Sequence, residues 1–185
     1  MARGAASPNR IRDAALLLFA RHGVAGTSLQ MIADELGVTK AAVYHHHRAK
    51  ADIVAAVLDP AVTSMRDIIG AATAIPDEED AVLHTIAGLA DQAVVNRALY
   101  RIMLHDPVVS AMFSSQEPFT SLWVRLRQLL SGDDSSMKRR MSVSIFLAGL
   151  AGPVQDESLA KISDDELRQG IVHVGTRLLL DTASH

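Results

Sequence analysis

TSLQMIADELGVTKAAVYHHHRAK, residues 27–50, decides the fold of the first part of this chain, because its pattern is that of two short helices joined by a tight turn. Thr27 is a suitable N-cap, and Gln30 three residues later completes the pattern of a capping box. Gly37 ends the first helix, since glycine takes the left-handed conformation that residues with a Cβ resist. An apolar stripe at helical spacing lies between them: Leu29, Ile32, Ala33 and Leu36.

The second helix of this stretch opens after Thr39, another N-cap, and has the composition of a helix that contacts something other than a protein core. Val43 is its clearly apolar large residue, while its first positions after the lysine are small and its remaining positions offer hydrogen-bond donors. Two capped helices around a glycine turn form the helix-turn-helix pattern, whose second helix lies in the DNA major groove. A short solvated helix is the alternative interpretation.

Residues 27–50 resemble the DNA-binding motif of tetracycline-repressor-type (TetR) transcriptional regulators. The family spacing is matched at Gly37, Val38, Tyr44 and Lys50. The segment 11–19 and Gly23 resemble the first helix of that family and its end, so the likeness covers roughly the first third of the chain.

Two positions depart from the family pattern. His47 stands where the family usually has an aromatic residue, most often Phe, and Ala49 stands where it often has a capping Ser. The first departure affects the local packing. The second weakens the start of the next helix, although Asp52 at its third position favours the helix dipole.

The resemblance implies a set of DNA contacts, residue by residue. Contacts to phosphates are implied for Thr27, Ser28, Tyr44, His46 and Lys50. Contacts to base edges are implied for Gln30, Thr39, Lys40, Ala41, Ala42 and His45. Phosphate contacts position the protein and base contacts specify the sequence, with the two alanines suited to thymine methyl groups.

The charge distribution supports a DNA-binding end on a different kind of body. The 185 residues carry a formal charge of −3, which alone argues against a nucleic-acid partner. Residues 1–50, however, hold seven Lys or Arg and three Asp or Glu, a charge of +4. The remaining residues hold eleven and eighteen, a charge of −7. A basic module on an acidic body indicates a chain that touches DNA with one end.

We predict an all-α protein of about nine helices, with a DNA-binding head at residues 7–67 and a ligand-binding and dimerisation body at residues 68–185. Ser7 and Pro8 open the first helix, whose apolar stripe packs on the two helices that follow. Pro60 predicts a kink or break near Asp59, because proline removes a helical hydrogen bond and clashes with the preceding turn.

The body has the character of an effector-binding domain, with polar and sulfur-bearing side chains scattered on apolar helical faces. Nine residues are candidates for the lining of a pocket: Met65, Ile69, His84, Gln92, Tyr100, Met103, Trp123, Arg127 and Phe146. Ordinary packing explains each of them separately. The hypothesis is therefore that a small-molecule pocket exists, rather than that this set lines it.

The last two helices, at about 137–151 and 164–181, predict a homodimer interface. Ala148, Gly149 and Ala151 permit close helix approach, and the leucines at 178–180 exceed what one buried face requires. An intramolecular core is the alternative. A homodimer also follows from the DNA argument, because two-fold proteins read pseudo-palindromic operators with half-sites about 34–36 Å apart.

Other classes of function find little support. There is no Cys, and the successive side chains of His45, His46 and His47 point about 100° apart on a helix, so we expect no metal site. We find no nucleophile–base or paired-carboxylate constellation, and we expect neither catalysis nor a cofactor. With no signal-peptide pattern and no apolar run long enough to span a bilayer, we expect a cytoplasmic protein.

The resulting hypothesis is a homodimeric repressor that binds a palindromic DNA operator and is released by a small-molecule effector. Two alternatives remain: a DNA-binding protein that needs no effector, and a helical interaction module whose motif no longer binds DNA.

Overall fold

The computed structural model describes residues 7–97, 99–100, 106–115, 117–159 and 161–180. None of these residues lies in a strand, and nine of their helices have seven or more residues, which confirms the predicted all-α fold. The helices of the head are α1 (Pro8–Gly26), α2 (Leu29–Leu36), α3 (Lys40–His46) and α4 (Lys50–Thr73). Those of the body are α5 (Glu78–Val95), α6 (Pro107–Ser115), α7 (Phe119–Ser131), α8 (Met137–Gly149), the four-residue α9 (Gly152–Gln155) and α10 (Asp164–Leu179), with a 3-10 turn at Glu157–Leu159.

Within the head, α1, α2 and α3 form a unit closed by the stripe predicted on α1. Ser7 caps this helix by accepting a hydrogen bond from the Arg10 N–H at 3.4 Å. The stripe is buried in full: Ile11, Ala14, Ala15, Leu18 and Phe19. Ile32 of α2 and Val43 of α3 are completely buried in the same core, while Leu36 is half-buried against it. The predicted packing of α1 on the two helices of the motif is therefore confirmed.

The turn between α2 and α3 has the conformation that the sequence predicts. Gly37 takes the left-handed conformation with φ +65°, and the Val38 N–H donates to the Ala33 carbonyl at 3.0 Å. This arrangement satisfies the last carbonyls of α2. Thr39 then caps α3 by accepting from the Ala42 N–H at 3.2 Å. Three residues thus separate the two helices and fix their relative orientation.

The capping box predicted at the start of α2 is wrong. Ser28, not Thr27, is the N-cap, and its hydroxyl accepts from the Met31 N–H at 3.2 Å. Gln30 does not reach back to the cap, because its amide donates to the Asp34 carboxylate at 2.7 Å one helical turn ahead. Two adjacent hydroxyl residues offered the same cap, and tertiary burial of Thr27 decided between them.

Of the kink or break predicted near Asp59, the break is wrong, because α4 is one 24-residue helix with Pro60 inside it. Pro60 lies on the exposed side. The opposite face is buried on both sides of Pro60, at Val57 and Leu58 before it and Ala61 and Val62 after it. Packing along this face holds the helix continuous where local preference would interrupt it. The helix crosses the predicted domain boundary at residue 67 and connects the head to the body.

The body packs α4, α5, α7, α8 and α10 around one core. Gly175 permits the close approach of α10, since a Cβ at this position would lie 2.6 Å from the Phe146 ring and 2.9 Å from Ile86. A capping box starts α10: Ser163 accepts from the Glu166 N–H at 3.2 Å, and Glu166 accepts from the Ser163 N–H at 2.9 Å.

The last helices differ in part from what the dimer prediction uses. Ala151, one of the small residues expected to permit close helix approach, is buried within its own chain, whereas Val174 is 59% exposed. Gly152 and Pro153 begin α9. Leu179 is completely buried, and Leu178 and Leu180 are half-buried against the core, so these leucines serve the intramolecular core in part.

Candidate nucleic-acid interface and internal cavity

The exposed face of α3 presents most of the residues that the resemblance assigns to DNA. Val43 anchors the helix in the core and is completely buried. The other side chains lie outside: Lys40, Ala41, Tyr44, His45 and His46 are exposed, and Ala42 is half-buried. Because Val43 alone anchors the helix and the other side chains lie outside, this helix is free to enter a groove. Thr39, its N-cap, is exposed as well.

The start of α2 adds two more exposed residues, Ser28 and Gln30. The Ser28 oxygen accepts from the Met31 N–H, which leaves its O–H proton available as a donor. The Gln30 amide is tied to Asp34, so a base contact by Gln30 requires exchange of that hydrogen bond. Arg48, in the turn after α3, is an exposed cation that the resemblance did not assign; its charge and position beside α3 were the available signal.

Thr27 does not belong to this surface. Its side chain is 1% exposed, and its hydroxyl donates to the Gly23 carbonyl at 2.8 Å. The hydroxyl proton is already used inside the head, so the predicted phosphate contact stays a prediction that requires this hydrogen bond to break. Sequence spacing placed Thr27 at the start of the motif but did not indicate that α1 bends toward it.

Lys50 likewise points inward. Its ammonium donates to three backbone carbonyls at the end of α1: Val24 at 2.8 Å, Ala25 at 3.1 Å and Thr27 at 3.0 Å. An ammonium has three protons, so all of its donors are used. A cation at the C-terminal end of a helix also stabilises the helix dipole. The predicted phosphate contact of Lys50 stays a prediction that requires some of these hydrogen bonds to break.

The three consecutive histidines differ in their surroundings. The rings of His45 and His46 meet edge to face, with centroids 5.5 Å apart. His47 is half-buried, and its Nε2 has no hydrogen-bond partner. Among the described residues, no group of three His, Cys, Asp or Glu is placed to hold a metal ion. His47 thus fills the family's aromatic position with a ring whose buried nitrogen is unsatisfied.

Four of the nine candidate effector residues converge on one cavity in the body. Met65, Gln92, Tyr100 and Trp123 line it together, and the remaining lining comes from Ala61, Val62, Phe119 and Leu122. The cavity has a volume of about 10 Å³, the space of roughly one water molecule. It joins α4, the helix that connects to the head, to α5 and α7.

A buried polar pair lies in the wall of this cavity. The Gln92 amide donates to the Ala61 carbonyl at 2.6 Å, and the Tyr100 hydroxyl donates to the Gln92 carbonyl oxygen at 3.1 Å. Burial raises the pKa of Tyr100, so the phenol is neutral and keeps its donor proton. The lining holds no charged side chain. This site therefore suits a neutral group that exchanges hydrogen bonds with an amide and a phenol.

The remaining candidates lie elsewhere, and Met103 is outside the described residues. Ile69 is an ordinary core residue at 2% exposure, and His84 is exposed. The Arg127 guanidinium lies 5.6 Å from the Trp123 ring and donates to the Ser144 hydroxyl at 3.1 Å, facing an open groove between α7 and α8. Phe146 lines a different groove, between α8 and α10. Sequence reasoning could not separate these locations, because all of them are apolar helical faces.

The groove between α8 and α10 is an apolar surface depression of about 390 Å³. Ile145 and Val174 lie along it with 56% and 59% exposure. A Cβ added at Gly149 or Gly170 would meet nothing within 4 Å, so the helix backbones are open to approach there. None of the described helices has the length and apolar character needed to cross a membrane.

Comparison with known proteins agrees with this architecture. The sequence pattern described as bacterial regulatory proteins, tetR family, matches residues 11–57. The HTH-type transcriptional repressor SCO4008 of Streptomyces coelicolor is 30% identical over 101 residues, which is 55% of this chain and 50% of that protein. The chain thus spans about half the length of this curated relative.

Two solved structures share the fold over nearly the whole chain. The TetR family transcriptional regulator PfmR from Thermus thermophilus has a TM-score of 0.66 at 19% identity, covering 96% of this chain and 97% of that one. The transcriptional regulator FadR from Bacillus subtilis, in complex with stearoyl-CoA, has a TM-score of 0.63 at 12% identity, covering 94% and 98%. Residues 11–57 thus match the tetR family of bacterial regulatory proteins, and the chain shares its all-α fold with solved TetR family regulators.

Proposed function

We propose that this protein is a transcriptional regulator that binds DNA through α3 and the start of α2. The observation that carries the proposal is the exposed face of α3, with Lys40, Tyr44, His45 and His46 around a single buried anchor, Val43. The basic charge of residues 1–50 supports it, because phosphate neutralisation supplies most of the affinity for DNA. The proposed contact set is Ser28, Gln30, Thr39, Lys40, Ala41, Ala42, Tyr44, His45 and His46.

The direct test is binding to a mixed-sequence DNA duplex of about 20 base pairs, enough for two adjacent half-sites. Lys40→Ala should weaken binding and, because it removes a positive charge from the face of α3, reduce the dependence of affinity on salt. Lys161→Ala is the matched control, because it removes the same charge from an exposed position of the body. Equal affinities for the two variants would contradict the proposed surface.

The protein acts as a homodimer through the groove between α8 and α10. Ile145 and Val174 are exposed apolar side chains that a second copy would cover, and Gly149 and Gly170 leave room for a partner helix. Val174→Glu should convert the dimer to a monomer, as measured by light scattering. Val95→Glu is the control, since Val95 is 78% exposed and does not line the groove. A dimer that survives Val174→Glu would place the interface elsewhere.

The regulator is a repressor that an effector releases from a palindromic operator. The effector site is the cavity between α4, α5 and α7, and the effector is a largely apolar molecule whose polar group replaces the Gln92–Tyr100 hydrogen bond. The cavity must open for such a ligand, and opening it moves α4, which continues into the head. An effector shifts the balance only by its differential affinity for the closed and opened forms.

Trp123 is the only tryptophan and lies in the cavity wall, so its fluorescence reports occupancy without a label. A ligand bound there should change the emission and weaken DNA binding in parallel. A ligand that releases DNA without changing Trp123 emission would locate the effector site elsewhere.

A further inference from the structure

The end of α1 is an unusual piece of helix that contacts both the body and the start of α4. Gly23 has φ +71° and ψ 165°, so the regular helix is interrupted there. The Thr27 hydroxyl closes the turn by bonding the Gly23 carbonyl at 2.8 Å. We call residues 23–27 the α1 turn. Because of the interruption, the Val24 N–H lacks the helical partner it would otherwise have and is available to another element.

Asp106, a residue of the body, accepts a hydrogen bond from this free N–H. Its Oδ2 accepts from the Val24 N–H at 2.6 Å. Its Oδ1 accepts from the N–H groups of Val108 at 2.9 Å and Val109 at 3.4 Å, which caps α6. The residue is 7% exposed, so this carboxylate is removed from water and its three backbone donors replace the lost hydration. The fit is close, because a Cβ at Gly23 would lie 3.3 Å from Oδ2.

Lys50 holds the same turn from the other side. Its three hydrogen bonds end on carbonyls of Val24, Ala25 and Thr27, all within the α1 turn. Lys50 is the first residue of α4 and follows α3 by only three residues. Val24 therefore contacts both residues. Its N–H donates to the Asp106 carboxylate of the body, and its carbonyl accepts from the Lys50 ammonium near α3.

We propose that Asp106 and Lys50 are positioning residues for DNA binding, which clamp the α1 turn between the body and α3. The continuous helix α4 connects head and body along one axis, and a single axis does not by itself fix rotation of the head. The contact between Asp106 and the α1 turn involves no residue of α4 and supplies a second point of attachment. This inference rests on the proposed DNA-binding function.

The test starts from Asp106→Asn, which keeps the shape of the side chain but replaces one acceptor oxygen by an NH₂ group. That NH₂ group would face a backbone N–H, so the side chain loses either its hydrogen bond from Val24 or its cap of α6. We expect affinity for a DNA duplex to fall by at least about tenfold. Asp77→Asn is the matched control, because Asp77 caps α5 by accepting from the Asp80 N–H at 2.9 Å and Asn caps equally well.

Lys50→Met separates positioning from direct contact. If Lys50 bound a phosphate, its loss would reduce the salt slope of binding by about one, as for a contact residue. A positioning residue instead lowers affinity with the slope unchanged. Lys40→Met provides the comparison, since Lys40 is exposed on the proposed surface. A slope that falls equally for both lysines would overturn the role proposed for Lys50.

Head orientation is measured without DNA by a distance between two spin labels. The chain has no cysteine, so Glu35→Cys on the head and His84→Cys on the body, both exposed, take up the labels specifically. Dilution with unlabelled protein keeps the measured distance within one chain. Asp106→Asn should broaden or shift the distribution, and Asp77→Asn should leave it unchanged.

The outcomes are distinguishable. Reduced affinity and a changed distribution for Asp106→Asn alone support the clamp. Unchanged affinity in a folded Asp106→Asn protein overturns it, as does a loss of thermal stability with the distribution unaltered. If the unsubstituted protein binds no DNA, the proposed function fails, and the distance distribution still decides whether Asp106 sets the orientation of the head.

Discussion

The head and the body of this protein place their candidate sites in opposite ways. The head presents its site on the outside of α3, where one buried residue, Val43, holds a helix of exposed polar side chains. The body keeps its site inside, in a closed cavity whose polar groups, Gln92 and Tyr100, bond each other. A surface site depends on a few adjacent residues, whereas an interior site depends on which helices pack together.

Two lysines ten residues apart show the same difference on a smaller scale. Lys40 and Lys50 carry the same charge and both lie in the helix-turn-helix stretch. Lys40 is exposed, while the ammonium of Lys50 is used by three backbone carbonyls. The family resemblance assigns both to DNA, whereas the fold of α1 gives the Lys50 ammonium hydrogen-bond partners inside the head.

The largest expected effect tests whether head and body fold as one unit. Ile32→Ala in the head and Ile86→Ala in the body each empty a completely buried position. Each should lower the free energy of unfolding by about 2–5 kcal/mol, measured by urea denaturation. Since both residues belong to one continuous core, a single transition is expected for both variants. Separate transitions for the two regions would show that the head unfolds independently.

A smaller effect is expected at the interior polar pair. Gln92→Leu removes the hydrogen bond to the Ala61 carbonyl and leaves the Tyr100 hydroxyl without its acceptor. Unsatisfied buried groups of this kind cost about 1–3 kcal/mol of unfolding free energy. The same change at the exposed Gln128 should be nearly neutral. Equal stability of the two variants would mean that the hydrogen bonds of Gln92 contribute nothing measurable.

On the surface of the head, Tyr44→Phe should affect binding but not stability. Tyr44 is 54% exposed, so removing its hydroxyl changes the free energy of unfolding by less than about 0.5 kcal/mol. Loss of one hydrogen bond to a phosphate should weaken DNA binding by about two- to tenfold. DNA titration and thermal melting of the same preparation measure both quantities. A destabilised protein with normal DNA affinity would reverse the assignment.

The smallest effect concerns pH and the start of α10. Hydrogen bonds from Ser163 lower the pKa of Glu166 below its ordinary value of 4.5. Its contribution to stability is therefore complete above pH 4.5 and is lost as pH falls through the lowered pKa. Glu166→Gln should flatten the pH dependence of the melting temperature in this acid range. An unchanged profile would indicate that the capping box contributes nothing measurable.

Local sequence patterns predicted the fold well where short-range chemistry decides it. The left-handed turn at Gly37, the cap at Thr39 and the buried stripe of α1 all follow from residue type and helical spacing. Predictions failed where long-range packing decides. Burial selected Ser28 over Thr27 as a cap, and the packed face of α4 kept the helix continuous through Pro60.

The candidate sites divide in the same way. The exposed residues of α3 follow directly from the family resemblance, because they are adjacent in sequence. The cavity required α4, α5, α7 and Tyr100 to be brought together, and only four of its eight lining residues were among the candidates. The contact of Asp106 with Val24 joins residues 82 positions apart, and no local signal indicates such a pairing.

The central claim is that the head reads DNA as half of a symmetric pair, and selection of bound sequences from random duplex DNA tests it most directly. A palindromic sequence, with half-sites about 34–36 Å apart and an affinity that falls steeply with salt, is the predicted result. If a folded, dimeric preparation enriches no sequence, the account is contradicted, and the chain is better described as a helical interaction module.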